Sequence, residues 1–210
     1  MNYDGAGQSV IIYDLGGGTL DLAFLKRNED GIPQVIKIDG LSNYAGDAID
    51  QAIYDFMDVE IEKKHKKNVS KNEEIDMLFL DLCRDYKERS SRLIRMNKEV
   101  QNFKEDYYPL TNRETVNIDI PVNKKIFNEV TGKIIDKTIS QLRTMREFAN
   151  SQDIIIDAVV LIGGSSRFPL VEEEIEKVFP NRVYPSQEYD ISVAVGAAIY
   201  GEKKRLAMMI

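Results

Sequence analysis

Cysteine, histidine and long apolar runs are all scarce in this sequence. The only cysteine, Cys83, excludes an internal disulfide and suits a reduced cytoplasm, and its helical apolar context indicates packing rather than nucleophilic chemistry. The only histidine, His65, falls among lysines typical of a solvated helix end, so we do not expect a catalyst or metal ligand there. The longest apolar run, 154–162, contains Asp157 and is too short to cross a bilayer. The N-terminus lacks the basic-then-apolar pattern of a signal peptide.

An excess of positive charge is also absent. The net charge is −7 and the isoelectric point is about 5.0, which argues against nucleic acid or an anionic membrane as a main partner. A chain of 210 residues can bury roughly 70% of its unfolded surface. We therefore expect a cytoplasmic globular protein with one good core.

What the sequence does contain is a triple glycine, Gly16–Gly18, between two short apolar segments. The first segment, 10–13, is β-branched and aromatic, and the second, 20–26, is too short and too apolar for an amphipathic helix. Both read as strands, so the glycines lie in a hairpin. One acid precedes them, Asp14, and another follows, Asp21.

This hairpin predicts a phosphate site with a cation. Glycines can adopt positive φ and present successive N–H groups to an anion, and the Thr19 hydroxyl adds a donor. Asp14 and Asp21 would repel a phosphate unless a divalent cation lay between, which implies Mg²⁺ and a polyphosphate. The alternative is a glycine-rich turn with solvated acids. A Walker A loop is absent, and Asp21 occupies the position of the third glycine in a Rossmann fingerprint.

The rest of the chain predicts a mixed α/β fold. Strands are expected at 34–39, 99–103, 114–120 and 156–162, and helices at 47–67, 72–94, 123–148, from Pro169 and from Asp190. In the second helix Lys87 and Ser91 are one turn apart and can face one ligand. The strand at 156–162 leads through a glycine turn into a helix, a usual ligand position in open α/β sheets. Arg167 in that turn could stack on an adenine ring or pair with a surface acid.

Three motifs together resemble the ATPase domain of the seventy-kilodalton heat-shock chaperones (DnaK-like), in the actin and sugar-kinase superfamily. They are Asp14-Leu15-Gly16-Gly17-Gly18-Thr19-Leu20-Asp21, Ile162-Gly163-Gly164-Ser165-Ser166-Arg167 and Asp190-Ile191-Ser192-Val193-Ala194-Val195-Gly196. The resemblance runs from about 9 to 205. It implies a ribonuclease H-like lobe with a mixed sheet flanked by helices and a smaller helical and β subdomain. The nucleotide-facing part would comprise 1–44 and 122–210, and the inserted subdomain 45–121.

The resemblance also implies a role for individual residues. The phosphates of ATP or ADP would be contacted by Gly16, Gly17, Gly18 and Thr19. Mg²⁺ would be held by Asp14 and Asp21, with K⁺ as a further candidate. The same two acids, together with Thr19, would order the attacking water. The nucleoside would be contacted by Lys87 and Ser91 and by the second glycine turn, Gly163, Gly164, Ser165, Ser166 and Arg167. Asp190 would lie at the base of the cleft. Within the adenosine-binding helix, the family's acid has become Arg84 and its base Glu88.

The chain resembles only the second lobe of that domain. The first lobe's phosphate loop, lysine and acid have no match, nor does a peptide-binding domain, so the isolated chain is expected to be essentially inactive. A first lobe, a peptide-binding domain, co-chaperones and a nucleotide-exchange factor would be its partners. Two alternatives stay open: a lobe of a filament-forming or cell-shape actin-like ATPase, and a non-hydrolysing scaffold with the same fold.

Overall fold

A computed structural model describes residues 8–67, 69, 73–111, 114–186 and 192–207. The strands in these residues are β1 (Ser9–Leu15), β2 (Thr19–Arg27), β3 (Pro33–Ser42), β4 (Phe103–Thr111), β5 (Glu114–Ile120), β6 (Ala158–Ile162) and β7 (Val183–Pro185). The helices are α1 (Gly46–His65), α2 (Glu73–Arg95), α3 (Lys124–Ser151), α4 (Pro169–Val178) and α5 (Ser192–Ala207), and a 3₁₀ turn covers Gly164–Arg167.

Five of the strands form one mixed sheet, in the order β3-β2-β1-β6-β7. β1 pairs antiparallel with β2 and parallel with β6. In β1, Ile11, Tyr13 and Leu15 are fully buried because alternate side chains of a strand point to the same face. The parallel pairing brings the carboxyl ends of β1 and β6 to the same edge of the sheet. The predicted hairpin and the predicted mixed α/β fold are both confirmed.

Helix α3 joins this sheet to the other helices. Asn123 caps its start, and its Oδ1 accepts a hydrogen bond from Ile126 N at 2.9 Å. The helix packs against β2, β3, α1 and α4. Its buried apolar side chains are Phe127, Ile135, Ile139, Leu142, Met145 and Ala149. Each large one contributes about 1.5–3 kcal/mol by leaving water, so this helix anchors the core.

A row of aromatic rings connects the segment from α1 to β5 with the rest of the core. In spatial order the rings are those of Tyr54, Phe79, Phe103, Tyr86, Phe127 and Phe168, with neighbouring centroids 5.1, 5.8, 5.2, 6.2 and 5.4 Å apart. The first four contacts are edge-to-face, the arrangement that aromatic quadrupoles favour. We call this set the aromatic row. The division into 1–44 with 122–210 and 45–121 stays a prediction.

Two element predictions were wrong in position. The strand expected at 99–103 begins at Phe103 and continues to Thr111, with an irregular ladder near Tyr107, whose φ is 57°. Such a bulge lets a strand pass residues that would otherwise interrupt it. The helix predicted to start at Asp47 begins at Gly46, with Ala45 in the cap position; Asp47 lies in the first turn, where its negative charge interacts favourably with the helix dipole.

Two further differences concern the C-terminal part. β7 was not predicted, since three residues are too few to show a periodic pattern. Asp190, predicted as the start of the last helix, lies outside the described residues, and α5 is described from Ser192. Of the helices in the described ranges, none has both the length and the apolar character that a membrane span requires.

Candidate functional site

The tip of the β1–β2 hairpin is tied to the segment that leads into α1. Gly46 N donates to Gly16 O at 3.0 Å, and Asp47 N donates to Gly17 O at 2.8 Å. Within the part of the chain that the structure describes, the N–H groups of Gly17 and Gly18 donate no hydrogen bond. Both residues are exposed. Two backbone donors are therefore available to an anion at this tip.

The backbone of these glycines differs from the prediction. Of the glycines described, only Gly31 and Gly163 have positive φ, so 16–18 form the tip without the left-handed conformation. The bonds from the start of α1 shape the turn instead. A Cβ at Gly18 would meet nothing within 4 Å. Glycine contributes here by leaving the N–H groups uncovered.

Two acids face each other just below the tip. Asp14 and Asp21 are a registered pair across β1 and β2, and Thr19 Oγ1 donates to Asp21 Oδ2 at 3.0 Å. Burial raises the pKa of Asp14 above its usual value, and the charge of Asp21 raises it further. No third acidic, histidine or cysteine side chain joins them among the described residues. An oxygen-only pair fits Mg²⁺, which binds through one or two carboxylates and keeps several waters.

The turn after β6 lies beside the hairpin because β6 is the parallel neighbour of β1. Gly163 has a φ of 78°, and a Cβ there would collide with Asp14 Oδ1 and lie 2.5 Å from Leu15 O. Glycine is therefore required at this position. A Cβ on Gly46 would collide with Ser165 Oγ, so the 3₁₀ turn also touches the start of α1. The two glycine motifs therefore lie side by side, as is required if both contact one nucleotide.

These elements form the walls of a cavity of about 640 Å³, a volume that suits a nucleotide-sized ligand. The lining residues are Gly16 and Gly17 of the hairpin, Gly46, Asp47, Ile49 and Asp50 of α1, Arg84, Lys87, Glu88, Ser91, Arg92 and Arg95 of α2, and Gly164, Ser165, Arg167 and Phe168 of the second turn. The structure thus brings most of the predicted nucleotide-binding residues together in one cavity.

Other predicted residues lie beside or behind this cavity. Gly18, Thr19 and the acid pair belong to the hairpin but not to the cavity lining, and Gly163 backs against Asp14. Ser166 is buried, and its Oγ donates to Ile162 O at 2.5 Å, which stabilises the turn itself. Asp190 lies outside the described residues.

A buried carboxylate that the sequence analysis missed holds two of the cavity walls together. The side chain of Asp50 is 2% exposed, and its oxygens lie 2.6 Å from Lys87 Nζ and 3.1 Å from Arg84 Nε. The hydrogen bond to Asp50 raises the pKa of Arg84 above its usual value. Asp50 lies on the same buried face of α1 as Ile49 and Ile53. A lone acid within an apolar stripe was the signal that could have identified it.

The other end of the α2 wall is fixed as well. Ser91 Oγ donates to Lys87 O at 2.7 Å, which keeps this hydroxyl on the helix at the cavity surface. Arg95 donates through Nη1 to Glu172 Oε2 at 3.0 Å and through Nε to Arg167 O at 2.8 Å. The α2 wall is thus attached to α1 at one end and to the 3₁₀ turn and α4 at the other.

Comparisons with known proteins agree on one family. A family model described as Hsp70 protein matches residues 2–204. A chaperone protein DnaK from Thermosipho africanus (strain TCF52B) is 30% identical over 204 residues, which cover 95% of this chain and 32% of the relative. A chaperone protein DnaK from Thermosipho melanesiensis (strain DSM 12029 / CIP 104789 / BI429) is 27% identical over 200 residues, with the same two coverages. The chain spans about a third of the length of these relatives.

Proposed function

This chain belongs to the Hsp70 protein family, and from that premise we propose that it is the nucleotide-binding lobe of an ATP-dependent, chaperone-like ATPase. One observation carries the proposal. The α2 wall and the 3₁₀ turn meet Gly16 and Gly17 of the hairpin tip around a single cavity of about 640 Å³, and the uncovered N–H groups of Gly17 and Gly18 lie at this tip. Phosphate donors and a nucleoside-sized space are therefore adjacent.

The phosphates would bind at the hairpin tip. The N–H groups of Gly17 and Gly18 are uncovered backbone donors, and Gly16 and Gly17 line the cavity. Backbone donors of this kind cradle phosphate oxygens without a charged side chain. Thr19 Oγ1 already donates to Asp21, which orients the threonine beside the acid pair.

Asp14 and Asp21 would hold the cation. Mg²⁺, when bound, would neutralise phosphate charge and relieve the repulsion between Asp14 and Asp21, which together with burial raises the pKa of Asp14. The two carboxylates would keep it at the hairpin, beside rather than inside the cavity lining. K⁺ is a further candidate for these carboxylate oxygens. The two acids would also orient the water that attacks the terminal phosphate.

The nucleoside would lie between α2 and the 3₁₀ turn. Lys87 and Ser91 line one wall, and Gly164, Ser165 and Arg167 line the other. The ion pair with Asp50 fixes Lys87 in this wall before any ligand arrives. Pre-ordered side chains reduce the entropy that binding costs.

The rest of the protein would complete the activity. We propose that a first ATPase lobe closes over the cavity, and that a peptide-binding domain, co-chaperones and a nucleotide-exchange factor act on the closed form in the cytoplasm. A micromolar ligand binds with about 8 kcal/mol, and half of those contacts would leave about 4 kcal/mol, or millimolar affinity. Hydrolysis also requires a water-excluding site, so the isolated chain should be essentially inactive.

The test is an NMR titration of the ¹⁵N-labelled chain with Mg²⁺·ATP up to about 10 mM, which covers the affinity expected for one lobe. Saturating shifts should appear at Gly17, Gly18, Ser165 and Lys87. Gly18→Val should weaken binding because its side chain would cover the tip donors, whereas Gly132→Val, also in open space, should not. Absence of binding would favour a non-hydrolysing scaffold. Hydrolysis at the rate of a complete ATPase would contradict the one-lobe assignment.

A further inference from the structure

The α2 wall of the cavity carries two opposite charges that have no ion-pair partner among the described residues. Glu88 and Arg92 both line the cavity, and both side chains are exposed. The neighbouring cations of this wall are already held, Lys87 by Asp50 and Arg95 by an acid of α4. By contrast, in the described part of the chain neither Glu88 nor Arg92 forms an ion pair, even with the other. Their hydrogen-bonding groups are therefore available to a ligand.

The spacing of this pair defines what it can recognise. Residues four apart on a helix have Cβ atoms about 5–6 Å from each other, so both side chains can reach one flat ligand. The Glu88 carboxylate accepts hydrogen bonds only, and the Arg92 guanidinium donates only, in a planar fork. A matching ligand needs two adjacent donors next to two adjacent acceptors.

Guanine presents that order along one edge. Its N2 and N1 are adjacent donors that suit a carboxylate, and its O6 and N7 are adjacent acceptors that suit a guanidinium fork. Adenine has a single donor, N6, between two acceptors, so it can satisfy each side chain with one bond at most. Glu88 and Arg92 could therefore make about four hydrogen bonds with guanine but two with adenine.

We infer that the α2 wall accepts guanine, with Glu88 and Arg92 as its base-reading residues, so that the lobe binds GTP at least as tightly as ATP. The inference rests on the proposed function, because it assigns the nucleobase of the same cavity. It extends the range of nucleotides and leaves the phosphate and cation sites as described above.

The test compares Mg²⁺·GTP with Mg²⁺·ATP in NMR titrations of the chain and two variants. Glu88→Gln replaces half of the acceptor pair by a donor, and should weaken GTP binding about fivefold to tenfold, the lower range for a base contact. ATP binding should change by less than about twofold, since one acceptor suffices for adenine. Asp85→Asn removes the same charge from α2 outside the cavity lining and should change neither.

The outcomes separate this inference from the proposed function. GTP affinity equal to or above that of ATP, together with selective loss in Glu88→Gln, supports the inference. GTP binding that is weaker than ATP binding overturns it and leaves the proposed function standing. Equal losses for both nucleotides, or no loss, in Glu88→Gln also overturn it. Failure of both nucleotides to bind overturns the proposed function and the inference together.

Discussion

Replacement of Asp50 by alanine should strongly destabilise the protein because it leaves two cations without their buried anion. The Asp50 side chain is 2% exposed, and that of Lys87 is 12% exposed. Removal of one partner from a buried ion pair costs about 3–5 kcal/mol. Arg84 is 43% exposed and keeps Asp81 at 3.2 Å, and Lys87 borders the open cavity, so both can recover some hydration. We therefore expect Asp50→Ala to lower the free energy of unfolding by about 2–3 kcal/mol.

Urea unfolding followed by circular dichroism measures this loss, and thermal unfolding should show a decrease of about 4–12 °C in Tm. Asp81→Ala is the matched control, since it removes a 67% exposed carboxylate from the same Arg84 and should cost about 0–1 kcal/mol. Adding Lys87→Met to Asp50→Ala should restore part of the stability, because no ammonium then stays unpaired. Equal losses in Asp50→Ala and Asp81→Ala would refute the reasoning.

Three further predictions follow from single residues. The pKa of Asp14 is raised in the folded state, so the folded state binds this proton more tightly and stability is lost as pH rises through that pKa. Asp14→Asn should therefore add about 0.2–1 kcal/mol to the free energy of unfolding at neutral pH without Mg²⁺ and nothing in strong acid. Urea midpoints measured at both pH values will show this difference. Gly163→Ala should cost about 2 kcal/mol or more in the same assay, whereas Gly18→Ala should stay within about 0.5 kcal/mol. Burial raises the pKa of the Cys83 thiol, so a thiol reagent should react only after denaturation, and fast labelling of the native protein would contradict its burial.

Local patterns were sufficient to predict the elements that surround the glycine motifs. The β-branched and aromatic residues at 10–13 and the short apolar segment after Gly18 identified a hairpin, and pairing then placed Asp14 opposite Asp21. The apolar strand before Gly163 identified β6. These predictions succeeded because each depends on the composition and length of a short apolar segment, which are properties of residues close in sequence.

Contacts between distant residues could not be predicted in the same way. Asp50 and Lys87 are far apart in the chain, and their ion pair depends on how α1 packs against α2. The uncovered N–H groups of the hairpin depend on bonds from Gly46 and Asp47, which no local pattern encodes. The position of β4 was missed because a bulge at Tyr107 carries the strand through residues that normally interrupt one.

The aromatic row has a mechanical consequence for the turn that borders the cavity. Closely packed rings resist sliding past one another; the first four contacts of the row are edge-to-face and the last, between Phe127 and Phe168, is tilted. Phe168 directly follows the 3₁₀ turn, and Tyr54 lies on α1 at the opposite end of the row. The 3₁₀ turn is therefore held in place by ring contacts that continue through four other elements. A displacement of α1 or of the turn would have to move the rings between them.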